Sequence, residues 1–229
     1  MSQKIIIDGR MVGPVGHGIA HYTRSLASVL QKRGPELGLE PWVLVSSEAP
    51  ANAFGSVPTV KSGASFLSPS EAWILPRELR GAGAQMYHSP SFASLGFHGV
   101  PWVQTIHDLI HLTHGSLAQR VYYQLLLSRS AARARRILTV SEVSKGEISR
   151  WLEPLADGAL SDRIDVVYNP VRTPRVLSRD QMLQSLPEWA RPALAAKPFV
   201  LTISNPKSHK NLGVLAASFL EARASDLVW

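Results

Sequence analysis

The chain has 229 residues, 45% of them hydrophobic, and a formal net charge of +7. That length suits one large α/β domain, or one domain with part of another. The absence of cysteine excludes disulfides and thiolate metal sites, no apolar run reaches the roughly 18–20 residues of a membrane helix, and the positive balance favours anionic partners without choosing among them.

The N-terminus, MSQKIIIDGR, ends its short apolar run at Asp8 and lacks the pattern of a signal peptide, which permits a cytoplasmic location. Residues 4–7 read as a buried strand before a glycine-rich turn. Residues 19–32 carry Ile19, Tyr22, Leu26, Val29 and Leu30 at helical spacing, and Gly34 ends that helix. Residues 42–45 read as the next strand. Residues 55–69, rich in Ser, Gly and Pro, read as a loop with a short strand near Val57. A helix over 71–80 contains Pro76, and strands follow at 85–88 and 102–107. Residues 117–136 form the longest helix candidate, with Arg129, Arg133 and Arg136 expected on one face beside Tyr122, Tyr123 and a leucine run. Strand 137–140, helix 142–152 and strand 164–168 complete the series. Apolar strands alternating with helices predict a Rossmann-like, doubly wound parallel sheet.

The composition changes after that. Residues 1–168 are expected to be one domain, and the proline-rich, charged stretch 169–198 a connection with a weak helix near Met182. A strand at 199–203, a helix at 212–222 and a further strand start at 226–229 suggest that a second Rossmann-like domain begins at 199 and is cut short. One strand and one helix cannot close a domain.

Four segments could carry chemistry. Gly13, Gly16, His17 and Gly18 lie between the first strand and the first helix, where glycines admit a ligand and a helix N-terminus offers N–H groups to an anion. The spacing GxxGxG departs from the dinucleotide GxGxxG and from a P-loop, and an ordinary tight turn explains it equally well. His107 and Asp108 end a strand, where open α/β sheets bind ligands; a histidine bonded into a loop is the plainer reading. His107, His111 and His114 do not form a helical metal set, because the alternation before His107 puts it on a strand end. Ser141 is a plausible helix N-cap. Asn205, Lys207 and Lys210 precede the helix at 212 and suit a phosphate.

Five stretches then resemble family 4 glycosyltransferases of the GT-B fold, in particular the mannosyltransferase B-like bacterial group. They are IDGRMVGPVGHGIAHYTRSLASVL, VQTIHDLIHL, ARRILTVSEVSKGEISRWL, IDVVYNPV and VLTISNPKSHKNLGVLAASF, and they occur in the family's order. The resemblance implies two Rossmann-like domains facing a cleft, the first holding mainly acceptor and the second most of the nucleotide. It implies sugar transfer with retention of anomeric configuration, no catalytic metal and no cofactor beyond a nucleotide-sugar donor such as GDP-mannose. Gly16 and Gly18 match the glycine loop near the donor diphosphate and acceptor, His107 the histidine on the donor sugar, and Lys210 the diphosphate lysine. Asn205 stands where many relatives have arginine, with Lys207 as the alternative source of charge. Asp108, Ser141 and Asn169 are expected on the cleft rim. The family's paired-glutamate motif is not reached before Trp229, so the chain is expected to be an incomplete, inactive transferase.

The expected partners are a glycan or lipid-linked glycan acceptor and an anionic membrane surface, with no nucleic acid. The expected location is cytoplasmic, peripheral on the inner face of the cell membrane. Two other readings are a non-catalytic sugar- or lipid-binding module and a nicotinamide-dependent Rossmann enzyme; the glycine spacing counts against the latter.

Overall fold

Strand β1 (Gln3–Asp8) is apolar at consecutive positions because it is covered on both faces. Ile7 packs with Ala20, Ala27, Val43 and Phe54, while its neighbour Ile6 packs with Leu44, Leu75, Leu79 and Tyr87. Alternate side chains of a strand point to opposite faces, so only a run of this kind fills both. The computed structural model describes residues 2–93, 98–155, 160–171, 176–192, 202–204, 207 and 210–221.

Six further strands extend the sheet: β2 (Leu39–Val45), β3 (Thr59–Lys61), β4 (Met86–Ser89), β5 (Trp102–Thr105), β6 (Arg136–Thr139) and β7 (Ile164–Val166). Their order is β3-β2-β1-β4-β5-β6-β7, and every pairing is parallel. This is the expected Rossmann-like α/β architecture. Helix α1 (Gly18–Arg33) lies on one face through Ala20 and Ala27. Helix α2 (Glu71–Gly81) covers the other through Leu75 and Leu79. Helices α5 (Ser128–Arg133) and α6 (Glu142–Leu152) pack on β6 and β7 through Ala131, Ile148 and Leu152. The chain winds outward from β1 to β3, then returns to place β4 on the other side of β1. The gap between β1 and β4 is therefore the topological switch point, beyond which open α/β sheets bind ligands.

Several boundaries differ from expectation. The helix expected over 117–136 is three pieces: α4 (Leu117–Tyr122), a π-helical turn at Tyr123–Leu127, and α5. The backbone turns extended at Ala134, and Arg136 opens β6. Arg136 therefore cannot share a helix face with Arg129 and Arg133, since the sheet recruits it through pairing with β5. A short helix, α3 (Ile110–His114), lies in a stretch to which the sequence assigned no element. Strand β5 stops at Thr105 and β7 at Val166, before the expected ends, and the strand expected near Val57 lies at β3.

The chain divides into two compact units, Met1–Pro170 and Val171–Trp229. The second holds α7 (Arg179–Ser185), opened by a Ser178–Gln181 capping box, and α8 (Leu212–Glu221). Of the strand expected at 199–203, residues 199–201 lie outside the described residues, as does the strand start at 226–229.

A buried cluster of charged groups sits where β1 ends. Asp8 accepts from Arg10 Nη2 at 2.7 Å and from the Tyr87 hydroxyl at 2.6 Å. Arg10 also pairs with Glu71 at 3.0 Å and donates to the Ala64 carbonyl at 3.2 Å. Burial pushes the Asp8 carboxyl up, but the Arg10 guanidinium and these hydrogen bonds outweigh it, leaving it below its ordinary value. Glu71, more weakly compensated by Arg10, stays raised by burial.

Two predictions follow from these buried groups. Arg10→Met should lower unfolding free energy by about 3–5 kcal/mol in urea melts, because it leaves two buried carboxyls without their cation; the triple change with Asp8→Asn and Glu71→Gln should recover part of the loss. The second concerns His88 and His98, which burial holds down to about 4 from an ordinary 6.5. Their stability contribution is present above pH 6.5 and is lost as pH falls towards 4. The unfolded chain takes up those protons first, so stability should fall by roughly 2–3 kcal/mol per pH unit across that window. A flat profile would contradict the buried, neutral assignment.

Candidate functional site

The loop after β1 and the N-terminus of α1 stand at the switch point. Gly9 is required by packing: a Cβ there would lie 2.5 Å from Val43 Cγ1 and 2.6 Å from Phe54 Cζ. Gly13 and Gly18 are different. A Cβ on either would meet nothing within 4 Å, and neither has a positive φ. Gly16 is intermediate, with His21 Nε2 at 3.4 Å from its Cβ position. The fold itself thus does not demand glycine at 13 or 18, where a Cβ would face open space.

His17 closes the loop. Its Nδ1 accepts from Ala20 N at 3.3 Å, and its Nε2 lies 3.1 Å from the Met11 carbonyl, which can only accept. The ring is therefore the Nε2–H tautomer and serves as the α1 N-cap. The N–H groups of Gly18 and Ile19 have no intrahelical acceptor, as at any helix start.

His107 follows β5 on the same rim. Its ring meets the edge of Tyr22, one turn into α1, at a centroid distance of 4.9 Å. Nε2 donates to the Pro90 carbonyl at 3.0 Å, which leaves Nδ1 as a lone-pair acceptor with no partner among the described residues. Burial lowers its basicity below the ordinary histidine value, against the opposing effects of Pro90 and Asp108. The turn that holds Pro90 is itself pinned: Gln104 donates to the Ser91 carbonyl and Ser89 to the Ala93 carbonyl. Beneath lies a relay in which Thr105 Oγ1 is 2.8 Å from His88 Nε2 and 3.4 Å from the Tyr22 hydroxyl.

The remaining rim residues are fixed locally. Asp108 is exposed and accepts from Ile110 N at 3.1 Å. Ser141 caps α6, accepting from Ser144 N at 3.1 Å, and Ser144 donates to the His107 carbonyl at 3.3 Å. Asn169 is exposed beyond β7. The first unit therefore brings Gly13–Gly18, His107, Asp108 and Ser141 to one rim, which carries the C-terminal ends of the strands. Lys207 and Lys210 are exposed in the second unit, with Lys210 N donating to the Lys207 carbonyl at 2.9 Å; Asn205 lies outside the described residues. Among the described residues no three His, Asp or Glu side chains converge as a metal site.

Sequence reasoning did not single out Tyr22, His88 or the Asp8–Arg10 pair, and it took Thr105 only as the start of the stretch ending in His107 and Asp108. Tyr22 counted there as an apolar helix position. His88 and Thr105 carried one available signal: each is a polar residue near the C-terminal end of an apolar strand.

Comparison with known proteins gives a family match and structural neighbours. The family model for Glycosyltransferase Family 4 matches residues 16–175, more than half of the chain. The crystal structure of a glycosyltransferase from Rickettsia africae ESF-5 superposes with a TM-score of 0.53 at 12% identity, over 90% of this chain and 54% of that one. The chain thus spans about half the length of this solved relative. No curated protein matches it.

Gly13→Ala and Gly18→Ala test the loop. Neither should reduce stability, and Gly18→Ala in the first turn of α1 should raise it by a few tenths to about 1 kcal/mol. Both should weaken phosphate-bearing ligands severalfold by calorimetry; unchanged binding would mean the loop is only a turn.

Proposed function

The chain belongs to glycosyltransferase family 4, and from that premise we propose that it is the acceptor-side lobe of a retaining hexosyltransferase. The donor is GDP-mannose or a similar nucleotide sugar, and the acceptor a lipid-linked glycan or growing polysaccharide. The observation that carries the reading is the open space at Gly13 and Gly18, one helical turn from the Tyr22 edge that meets His107.

In this reaction the bond from the anomeric carbon to the diphosphate oxygen breaks, and the acceptor hydroxyl oxygen bonds to the same face of that carbon. Its proton leaves with the diphosphate. The α1 N-terminus and its glycine loop suit the departing negative charge, because fixed N–H groups there need no reorganisation as charge develops. His107, with Nε2 committed to Pro90, has Nδ1 available to accept from a sugar hydroxyl. Its lowered basicity keeps the ring neutral near pH 7, as an acceptor must be. Lys207 and Lys210 are the proposed phosphate cations of the second unit.

The reaction is proposed to take place at the inner face of the cell membrane. Among the described residues no helix is long and apolar enough to cross one. However, α4 and the π turn expose Leu117, Val121, Leu125 and Leu126 beside Arg120 and Arg129. Exposed apolar side chains with basic neighbours along the chain suit an interfacial position.

Calorimetric titration with GDP-mannose, UDP-glucose and NAD tests the donor class. A sugar nucleotide should bind, and His107→Ala should weaken it by up to roughly tenfold, the ceiling for one neutral hydrogen bond. Binding of NAD alone would overturn the reading. Labelled-sugar transfer to a membrane extract is the further test, and the absence of transfer from any sugar nucleotide that binds would overturn the transferase reading.

A further inference from the structure

Five arginines gather at the opposite rim of the sheet. Arg129, Arg133, Arg135, Arg136 and Arg163 line two adjoining hollows of about 490 and 530 Å³ that share Arg133 and Arg163. Arg136 opens β6 and Arg163 immediately precedes β7, so the hollows lie where the strands begin, away from the glycine loop and His107.

Part of this charge has structural work. Arg163 Nη1 donates to the Ala132 and Ala134 carbonyls at 3.0 and 3.2 Å, satisfying the C-terminus of α5. Arg136 donates to the Asp162 carbonyl and lies 3.8 Å from Asp165. Arg129 returns to the Leu125 carbonyl at 2.7 Å. Arg133 and Arg135 have neither employment: both are exposed, and neither has an ion-pair partner among the described residues. Complementing the helix dipole explains an arginine at this position in general, but Arg163 already fills that role. Among the described residues that line the hollows or pair with these arginines, Asp162 and Asp165 are the acidic ones against five cations, so the excess there is positive.

We infer that this arginine hollow is a binding site for a phosphate-bearing anion, separate from the sugar-transfer cleft. Guanidinium groups present paired donors that match phosphate oxygens, and Arg163, held by two carbonyls, is preorganised for the task. Like charges held together repel, and a bound anion removes that repulsion. The ligand is a soluble phosphate or diphosphate, or the phosphate of a lipid headgroup; the same side chains serve either. The inference rests on the arginines alone and does not require the glycosyltransferase reading.

The test titrates inorganic pyrophosphate, at constant ionic strength, into the chain and into R133Q/R135Q. In parallel, phosphatidylcholine vesicles with and without phosphatidic acid are sedimented with both proteins. R133K/R135K retains the charge without the planar fork, and K32Q/R77Q removes equal charge from exposed positions elsewhere. Thermal melts check that all remain folded. R133Q/R135Q should lose roughly tenfold or more in affinity, about 1.4 kcal/mol. R133K/R135K should lose less, and K32Q/R77Q should bind as the parent does. Loss in the pyrophosphate arm identifies a soluble ligand; loss confined to phosphatidic acid vesicles identifies a headgroup. No binding in either arm, binding indifferent to R133Q/R135Q, or an equal loss in K32Q/R77Q would overturn the site.

Discussion

The Asp8–Arg10 ion pair, sealed by Tyr87 and Glu71, anchors the end of β1. A lone charge buried at this depth would be strongly unfavourable, so each member must keep its partners. That requirement makes the chain turn at Gly9 and Arg10 instead of continuing as strand, and it aims the following loop across the switch point. It also ties three elements together: Asp8 ends β1, Tyr87 belongs to β4, and Glu71 opens α2. The loop is held at its base by this cluster and at its far end by the His17 cap. Residues between those anchors can then expose backbone to a ligand without losing their place.

Parallel strands give the sheet two unlike rims. At one, every strand hands over to a loop or helix start, and the groups there are N–H donors and neutral imidazole. At the other, the helices end and arginines collect around the carbonyls they leave. The same directional geometry therefore produces a surface able to receive negative charge at both rims, by dipoles on one and by cations on the other. His107 shows how closely the first is specified. Its orientation depends on Pro90, whose turn depends on Gln104 and Ser89, and its carbonyl depends on Ser144.

Much of the fold was legible in the sequence because strands covered on both faces leave unbroken apolar runs, as in the three isoleucines of β1. Helix α1 was likewise marked by its apolar spacing and α6 by its Ser141 cap, while α2 was expected despite Pro76. The π turn was not legible: inserting one residue into a helix needs no special side chain, and Tyr123–Leu127 reads as ordinary helix. Nor was the end of α5, where Arg136 turns into strand because β5 offers pairing partners, a tertiary effect without a local mark. At the site, the glycines and His107 stood out by residue type and position. The Tyr22–Thr105–His88 relay did not, since it joins residues far apart in sequence, and a buried tyrosine at helical spacing looks like plain core.

The two outermost strands of the sheet among the described residues, β3 and β7, are each only three residues long. A sheet margin normally offers a row of unpaired amide and carbonyl groups to any neighbouring chain. Here that row is too short to template a lasting cross-chain ladder, and Lys61 at one margin adds a charge that a stacking copy would have to desolvate. The long, strongly apolar strands that invite aggregation are all kept in the interior of the sheet. This sheet therefore offers little at its margins for edge-to-edge pairing, even though its inner strands, taken alone, would be prone to it.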